Sequence, residues 1–510
     1  MSRLPATLRA VLSFDPAAPA LEFHGHWRTW GRLATDAQAL ESSLAAAGLG
    51  PGTRVGVVLR NQPEVLAALL GILLAEDCLA SLSASAPDER LVADIATLQA
   101  PVLVATEADW NRPNLLDAAR ATGALCIALT DSESSPVRIL AQLNPAAVQL
   151  RHHAPGIAIE MLSSGTTGTP KRIPLSVDKL DKALRGAASY ERGRREDDTP
   201  KLRSGVQIVT APLAHIAGIT ATLNNLLAGR KVCLIEKFSV AAFTDAVRRH
   251  RPKVAGAPPA AIRMILDAAV PKEDLSSLVA FRTGTAPLDP DLADAFMERY
   301  GIPVLQNYGA TEFAGGAAGW TLEDFREHWK DKRGSVGRLN PGVEARTSDP
   351  ETGEMLAPNV EGLLEVRAPN IGDGKSWVRT TDLAVVDAER FLWIKGRHDN
   401  AIIRGGFKIQ PDELVQALER HPAIREAAVV ALPEARLGQV PAAGYIVKAG
   451  ATAPTEEELR EFLRAHLMPY QIPVRFMQCD ELPRTVSMKT NQSALRALFE
   501  SQPAPAASAH

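Results

Sequence analysis

Apolar positions along this chain fall into two alternating rhythms. Short aliphatic or β-branched runs (Arg54–Leu59, Pro101–Ala105, Ala124–Leu129, Val206–Thr210, Lys231–Ile235, Ile302–Leu305) alternate with stretches of helical spacing. Apolar strands interleaved with helices predict an α/β fold whose sheets are largely parallel and covered on both faces. The longest apolar run, Val65–Ala75, is too short to span a bilayer and closes at Glu76–Asp77, so it predicts a buried helix. From about Gly334 to Ile394 the texture changes. Gly- and Pro-bearing turns separate alternating segments such as Gly362–Arg367 and Phe391–Ile394, which predicts an antiparallel β-rich part. Beyond Asp399 come Ala401–Ile403, a helix at 414–419, Ala427–Ala431, Gly444–Val447 and a helix at 456–466, a compact α+β piece. Residues 191–203 read as a charged surface excursion and 502–510 as a disordered tail, and no internal repeat is visible.

Composition narrows the class. With 510 residues the chain can hold several domains, and 46% hydrophobic against 23% charged residues is ordinary for a soluble globular protein. A formal net charge of −3 argues against a dedicated nucleic-acid or anionic-membrane surface. Cys78, Cys126, Cys233 and Cys479 have neither metal-ligand spacing nor a disulfide framework, and none stands out as a nucleophile. Acidic and aromatic residues interrupt the N-terminal stretch before any signal-like apolar core forms, so a reduced, cytoplasmic setting is expected.

The most informative stretch is Met161–Lys171, Met-Leu-Ser-Ser-Gly-Thr-Thr-Gly-Thr-Pro-Lys. Hydroxyls from Ser163, Ser164, Thr166, Thr167 and Thr169 offer neutral donors, while Gly165 and Gly168 free backbone N–H groups to face anionic oxygens. Lys171 adds a compact positive charge, and Thr167 or a neighbour could complete a Mg²⁺ shell. Ile157–Leu162 upstream reads as a strand. A Walker A loop would put Gly-Lys-Ser/Thr at a helix start, but Pro170 precedes Lys171 and Arg172-Ile173-Pro174 follows, so the ordinary P-loop fold is disfavoured. A flexible linker of this composition would have no need of the closing Pro-Lys or of apolar flanks.

Further along, His215 lies in Ala211–Gly218 just after a strand, where open α/β sheets place ligands, although a lone histidine is most often structural. Phe281-Arg-Thr-Gly-Thr-Ala-Pro-Leu288 would let a flat ring lie against backbone, and Gln306-Asn-Tyr-Gly-Ala-Thr-Glu312 joins an aromatic to a hydroxyl and a carboxylate. Arg379-Thr-Thr-Asp382, Gly396-Arg-His-Asp-Asn400 and Leu482-Pro-Arg-Thr-Val-Ser-Met-Lys489 complete the series. Each of these is weak alone.

In this order the motifs resemble the adenylate-forming superfamily of acyl-CoA synthetases, firefly-type luciferases and peptide-synthetase adenylation domains, most closely the acyl- or aryl-CoA ligases. The resemblance runs over about residues 20–500. It implies a large N-terminal domain (1–398) of two α/β lobes plus a β-barrel-like subdomain, and a small mobile α+β C-terminal domain (399–501) that turns about Asp399. It implies ATP, Mg²⁺ and coenzyme A as cosubstrates and cofactor, with a small-molecule carboxylic acid, no membrane span, and an assembly that allows a homodimer. Ser163 to Lys171 would hold phosphates; Gly284, Thr285, Ala286, Asn307 and Tyr308 the adenine; Asp382 the ribose; Arg397 ribose or phosphate. Thr311 would meet the α-phosphate, Glu312 would hold Mg²⁺ together with Thr167, and Lys489 would be the catalytic lysine of adenylation. His215 would also act at the catalytic centre, and Gly405 and Gly406 would line the coenzyme A tunnel. The acyl pocket would draw on His215, Ile216, Gly218, Thr283, Gly309, Phe313, Ala314, Gly315 and Gly316.

The chain departs from the family pattern at Arg172, Thr381 and Met488, each where glycine is usual. The His215 box contains no acid for an α-ammonium group, so an amino-acid substrate is not expected. An aromatic or medium-to-long aliphatic monocarboxylate fits the small and apolar pocket set. Loading of a carrier protein, a luciferase-like oxygenase and a non-catalytic binder of nucleotide or acyl groups are the alternatives.

Overall fold

The computed structural model describes residues 3–144, 154–162, 172–188, 200–404, 407–434, 437–485 and 488–501. They form two compact units, one built from 3–344 with 367–377 and the other from 345–366 with 378–501.

The first unit is α/β. Its largest sheet orders the strands Val137–Ala141, Leu125–Leu129, Val102–Thr106, Arg54–Leu59, Cys78–Ser83, Ile157–Leu162 and Arg172–Ser176. The middle five are parallel, and both edge strands run antiparallel to their neighbours. Every residue of Val102–Thr106 and Leu125–Leu129 is buried, as a parallel strand covered on both faces requires. The apolar run seen in the sequence is the helix Pro63–Leu74, started by proline at its first position and buried at every residue except Glu64. A second sheet joins Val206–Val209, Lys231–Leu234 and Pro19–Phe23 in parallel, with His26–Thr29 antiparallel at the edge. A third runs Val254–Gly256, Ala280–Thr283, Val304–Ala310, Gly315–Gly319 and Arg338–Leu339. The strand expected at Ile302–Leu305 therefore starts later and runs further, which puts Asn307 and Tyr308 on the strand itself. Pro303 withholds a ladder donor at the expected start.

The second unit holds the antiparallel sheet Glu344–Ser348, Gly362–Arg367, Val378–Val386 and Leu392–Arg397. It also holds an α+β sheet in which Gly438–Val447 pairs antiparallel with Ile424–Glu434 and parallel with Arg475–Gln478. The helices Pro411–Glu419 and Glu456–Arg464 cover one face through Leu414, Leu418, Leu459 and Leu463; Gln492–Ser501 covers the other through Leu495 and Phe499. Glu456–Arg464 opens with a capping box of Thr455 and Glu458.

Two buried acids in the first unit contrast. Glu22 lies on a strand facing Cys233 in register; burial raises its pKa, but Arg249 and His250 at the end of one helix more than offset this and hold it below 4.5. Asp77 has no such cation. Burial pushes its pKa to about 7, although it accepts the backbone N–H of Thr53 at 3.0 Å. Its proton is held more tightly folded than unfolded, so Asp77 adds stability below 3.8 that is lost as pH rises through about 7. Asp77→Asn keeps the acceptor for Thr53 and should stabilise the protein at pH 8 by about 1–3 kcal/mol, with the gain vanishing near pH 4. Denaturant unfolding across that pH range measures it.

Candidate active site

The candidates from Ser163 to Lys171, together with Gly405 and Gly406, lie outside the described residues, and the side chain of Asp399 is likewise not described. On either side of the 163–171 stretch, Leu162 and Arg172 pair across the antiparallel strands Ile157–Leu162 and Arg172–Ser176. Ser81 holds both: its Oγ accepts from the Leu162 N–H at 2.9 Å and its carbonyl accepts from Arg172 Nη1 at 3.0 Å. Burial lowers the Arg172 pKa, and nearby Glu160 opposes the shift. Arg172, where glycine is usual, is thus a tether for the strand end.

In the first unit, the 304–319 hairpin presents the next candidates. Gly309 pairs with Gly316 and Ala310 with Gly315, and the turn Thr311–Phe313 is closed by Ala314 at φ 55°. Glu312 and Asn307 are exposed and Thr311 is half-buried, so the hairpin turns polar groups outward. Gly284, at the end of the neighbouring strand, faces Asn307 so closely that a Cβ there would sit 1.9 Å from its Oδ1. Adenine-slot candidates from two motifs thus meet in one place. The ring of Tyr308 lies edge-on to Phe313 at 6.3 Å.

The acyl-pocket set separates on inspection. Ala314 belongs to the main hydrophobic core and Phe313 is buried, its carbonyl accepting from Asn370 Nδ2 at 2.8 Å. Gly218 and Gly309 are packing positions: a Cβ would come within 2.1 Å of the Pro212 carbonyl and 2.3 Å of the Gly315 carbonyl, respectively. Ala314, 0% exposed within that core, offers no surface to a ligand, whereas Gly309 is exposed. His215 immediately precedes the helix Ile216–Leu227, Thr283 ends the strand Ala280–Thr283, and Gly315 and Gly316 open the strand Gly315–Gly319. Thr283 is 3% exposed, and its hydroxyl has no hydrogen-bond partner.

Motif reading missed Asn61. Buried between two strands, it donates to the carbonyls of Ala211 (3.1 Å) and Ile235 (2.9 Å) and accepts from the Leu213 N–H (2.7 Å), pinning the segment that leads to His215. The segment leads into the helix Ile216–Leu227, where the His215 carbonyl accepts from the N–H groups of Gly218 (3.0 Å) and Ile219 (3.2 Å). A lone Asn ahead of a helix carries no signal of such a role.

The second unit gathers the charged candidates. Asp382 pairs in register with Arg397 across Val378–Val386 and Leu392–Arg397, and their charged atoms lie 3.9 Å apart. Lys489 keeps contact with solvent, yet the protein around it lowers its pKa, first by loss of hydration and then through Arg397, with Asp382 opposing. Asp412, at the start of Pro411–Glu419, is pushed up by burial and by the charges of Asp382 and Glu413. The Lys489 loop is held by Arg484, which forms a bidentate pair with Glu426 (2.6 and 2.7 Å) and donates to the Met488 carbonyl at 2.9 Å.

Comparison with known proteins decides what these groups belong to. Residues 9–374 match the AMP-binding enzyme family and residues 413–489 its C-terminal domain. The chain belongs to the AMP-binding enzymes. Similar curated proteins include the sulfoacetate–CoA ligase of Cupriavidus necator, 32% identical over 92% of each chain. The long-chain-fatty-acid–CoA ligase of Bacillus subtilis is 26% identical over 94% of this chain and 92% of its own. Among solved structures, ATP-bound MatB from Rhodopseudomonas palustris superimposes with a TM-score of 0.81 at 25% identity, covering 98% of this chain and 99% of that one. The amide bond synthetase McbA from Marinactinospora thermotolerans gives 0.78 at 27% identity, covering 97% and 99%. The chain is therefore an acid–thiol ligase of the AMP-forming kind. No described helix is long and apolar enough to cross a membrane.

Three non-glycine residues of this AMP-binding enzyme sit at positive φ in or beside the motif segments: Thr285 (69°), Ala314 (55°) and Met488 (63°). Such backbone costs about 1 kcal/mol or more per residue and persists only where the surroundings impose it. For Met488 the imposing contacts are the Arg484 donation and the Lys489 carbonyl, which accepts from the Thr485 N–H at 2.7 Å. Met488→Gly should therefore raise stability by about 1 kcal/mol, read as a higher denaturation midpoint at unchanged m.

Proposed function

We propose that this ligase activates an aromatic or medium-to-long-chain monocarboxylic acid as an acyl adenylate and passes the acyl group to coenzyme A. The observation that supports it most is the convergence of Lys489, Asp382 and Arg397 in one unit, with Lys489 partly stripped of its hydration. In the first step the acid's carboxylate attacks the α-phosphorus of ATP and pyrophosphate leaves. Lys489 bridges carboxylate and α-phosphate, so attacker and target are held together. Asp382 accepts from the ribose hydroxyls and Arg397 meets ribose or phosphate, while Asn307, Tyr308 and the Gly284–Ala286 backbone take the adenine. Glu312 is an exposed carboxylate on a tight turn, a hard oxygen donor that suits Mg²⁺. Bound there and by Thr167, Mg²⁺ would neutralise charge on the phosphates.

In the second step the coenzyme A thiol attacks the acyl adenylate and AMP leaves. One lysine cannot stay in place while a pantetheine arm enters, so residues 399–501 turn about Asp399 between steps, bringing Gly405 and Gly406 into play. The acid is read from what the pocket set lacks. None of the acyl-pocket candidates carries a fixed positive charge, and with His215 and Thr283 the only polar members a mostly apolar acid fits. The sulfoacetate ligase, whose acid bears a second anion, makes that the point to test first.

Carboxylate-dependent exchange of labelled pyrophosphate into ATP, screened over aliphatic, aromatic and dianionic acids, should select the first two. Absence of exchange with every acid would leave a binding protein instead. Adding coenzyme A, a carrier-bound thiol or an amine then identifies the acceptor, and the amine arm is prompted by the likeness to an amide bond synthetase. Lys489→Ala should cut exchange at least about a hundredfold yet spare thioester formation from supplied acyl adenylate. If both half-reactions fell together, the two-conformation reading would be wrong.

A further inference from the structure

Among the described residues, one set of three metal-ligating side chains lies together outside the motif segments. It consists of Glu22, Cys233 and His250, with one ligand atom of each within 4.8 Å of the others. Three elements of the first unit bring them there. Glu22 on Pro19–Phe23 stands opposite Cys233 on Lys231–Leu234 in parallel register, and His250 closes the helix Val240–His250. His250 Nε2 meets Glu22 Oε2, while Arg249 Nη1 donates to Glu22 Oε1 and lies 3.1 Å from His250 Nε2. Glu22 is 1% exposed, Cys233 4% and the His250 side chain 9%, so the set is interior, unlike the carboxylate clusters that gather on protein surfaces.

Donor chemistry narrows the ion. A thiol, an imidazole and one carboxylate suit Zn²⁺, whereas Mg²⁺ asks for oxygen ligands alone. A point between three atoms at most 4.8 Å apart lies within about 2.8 Å of each, so shifts under about an ångström reach the Zn²⁺ bond lengths of about 2.0–2.3 Å. The neighbouring guanidinium has somewhere else to go. Arg249 also pairs with Asp245 at 2.7 Å and its side chain is 39% exposed, so it can withdraw from Oε1 and keep a partner. His250 is the most exposed of the three and abuts the exposed Trp27 ring, edge-on at 5.8 Å, which gives the ion a way in.

We propose that Glu22, Cys233 and His250 form a Zn²⁺ site, the ion bound by Oε2, Sγ and Nε2 with a fourth position left to water. On binding, the ion takes the place of the proton between Oε2 and Nε2 and of the proton on Sγ. The carboxylate and the thiolate so formed balance its two charges. Without the ion the buried thiol keeps its proton; with it, the sulfur is engaged by the metal. The role is structural: the ion staples two strands to the end of a helix, and the chemical step does not pass through it.

The test uses the full-length protein without an affinity tag, stripped with a chelator and reloaded with Zn²⁺ or Co²⁺. One equivalent of Zn²⁺ should raise the thermal midpoint, and Co²⁺ should give the near-ultraviolet charge-transfer band of a metal thiolate. X-ray absorption of the Zn²⁺ form should find one sulfur at about 2.3 Å beside nitrogen and oxygen at about 2.0–2.2 Å. Cys233→Ala should abolish the Co²⁺ band. Cys233→Ala and His250→Gln should each weaken Zn²⁺ binding at least about a hundredfold, since even an outer partner of a metal ligand is worth about 10–100-fold. Failure of the wild type to bind Zn²⁺, or a bound ion with no sulfur ligand or more than one, would overturn the proposal however the variants fold. Zn²⁺ affinity left unchanged by Cys233→Ala would overturn it too.

Discussion

The register between Val378–Val386 and Leu392–Arg397 is the constraint on which the charged part of the site depends. It sets Asp382 opposite Arg397, and a slip of one residue would turn one of them to the other face of the sheet. The ladder shifts between Leu383 and Ala384, directly beside that pair, where the strand changes from an apolar wall to a row of polar and charged side chains. Lys489 reaches the same place by a separate route. Arg484 anchors its loop to Glu426 on Ile424–Glu434, so the lysine is delivered by a sheet and a strong ion pair. Rigid elements hold the charges on both sides.

Strain and exposure follow the same map. The residues forced into left-handed backbone at 285, 314 and 488 lie in or beside segments picked out by motif, and the hairpin turn at 311–313 faces its polar groups outward. Around them the packing is dense. Gly284 yields its side-chain space to Asn307, and Gly309 yields its own to the backbone of Gly315. The combination is what preorganisation demands: a few costly conformations, each enforced by well-packed neighbours.

Much of this was legible in the residues. Arg54–Leu59, Ile157–Leu162 and Gly362–Arg367 form strands with the limits that apolar pattern suggested, since fully buried or alternating runs leave little choice of structure. The motif order pointed to the family, because each piece is chemically weak but their sequence is not. Other features were hidden. The sequence could not tell that Gly218 and Gly309 leave no room for a side chain, because the Pro212 and Gly315 carbonyls that forbid one come from the fold. Asn61 was invisible because its importance lies in three bonds to distant backbone.

Burial of the thiols has a bearing on chemical housekeeping. Loss of hydration pushes Cys78 and Cys233 to about 12 and Cys126 to about 11, and it raises Cys479 as well. All four therefore stay protonated at neutral pH, and a protonated thiol is a poor nucleophile. An enzyme that makes activated acyl groups and then hands them to sulfur must avoid acylating itself. This chain does so by leaving the incoming cosubstrate as the one thiol free to ionise.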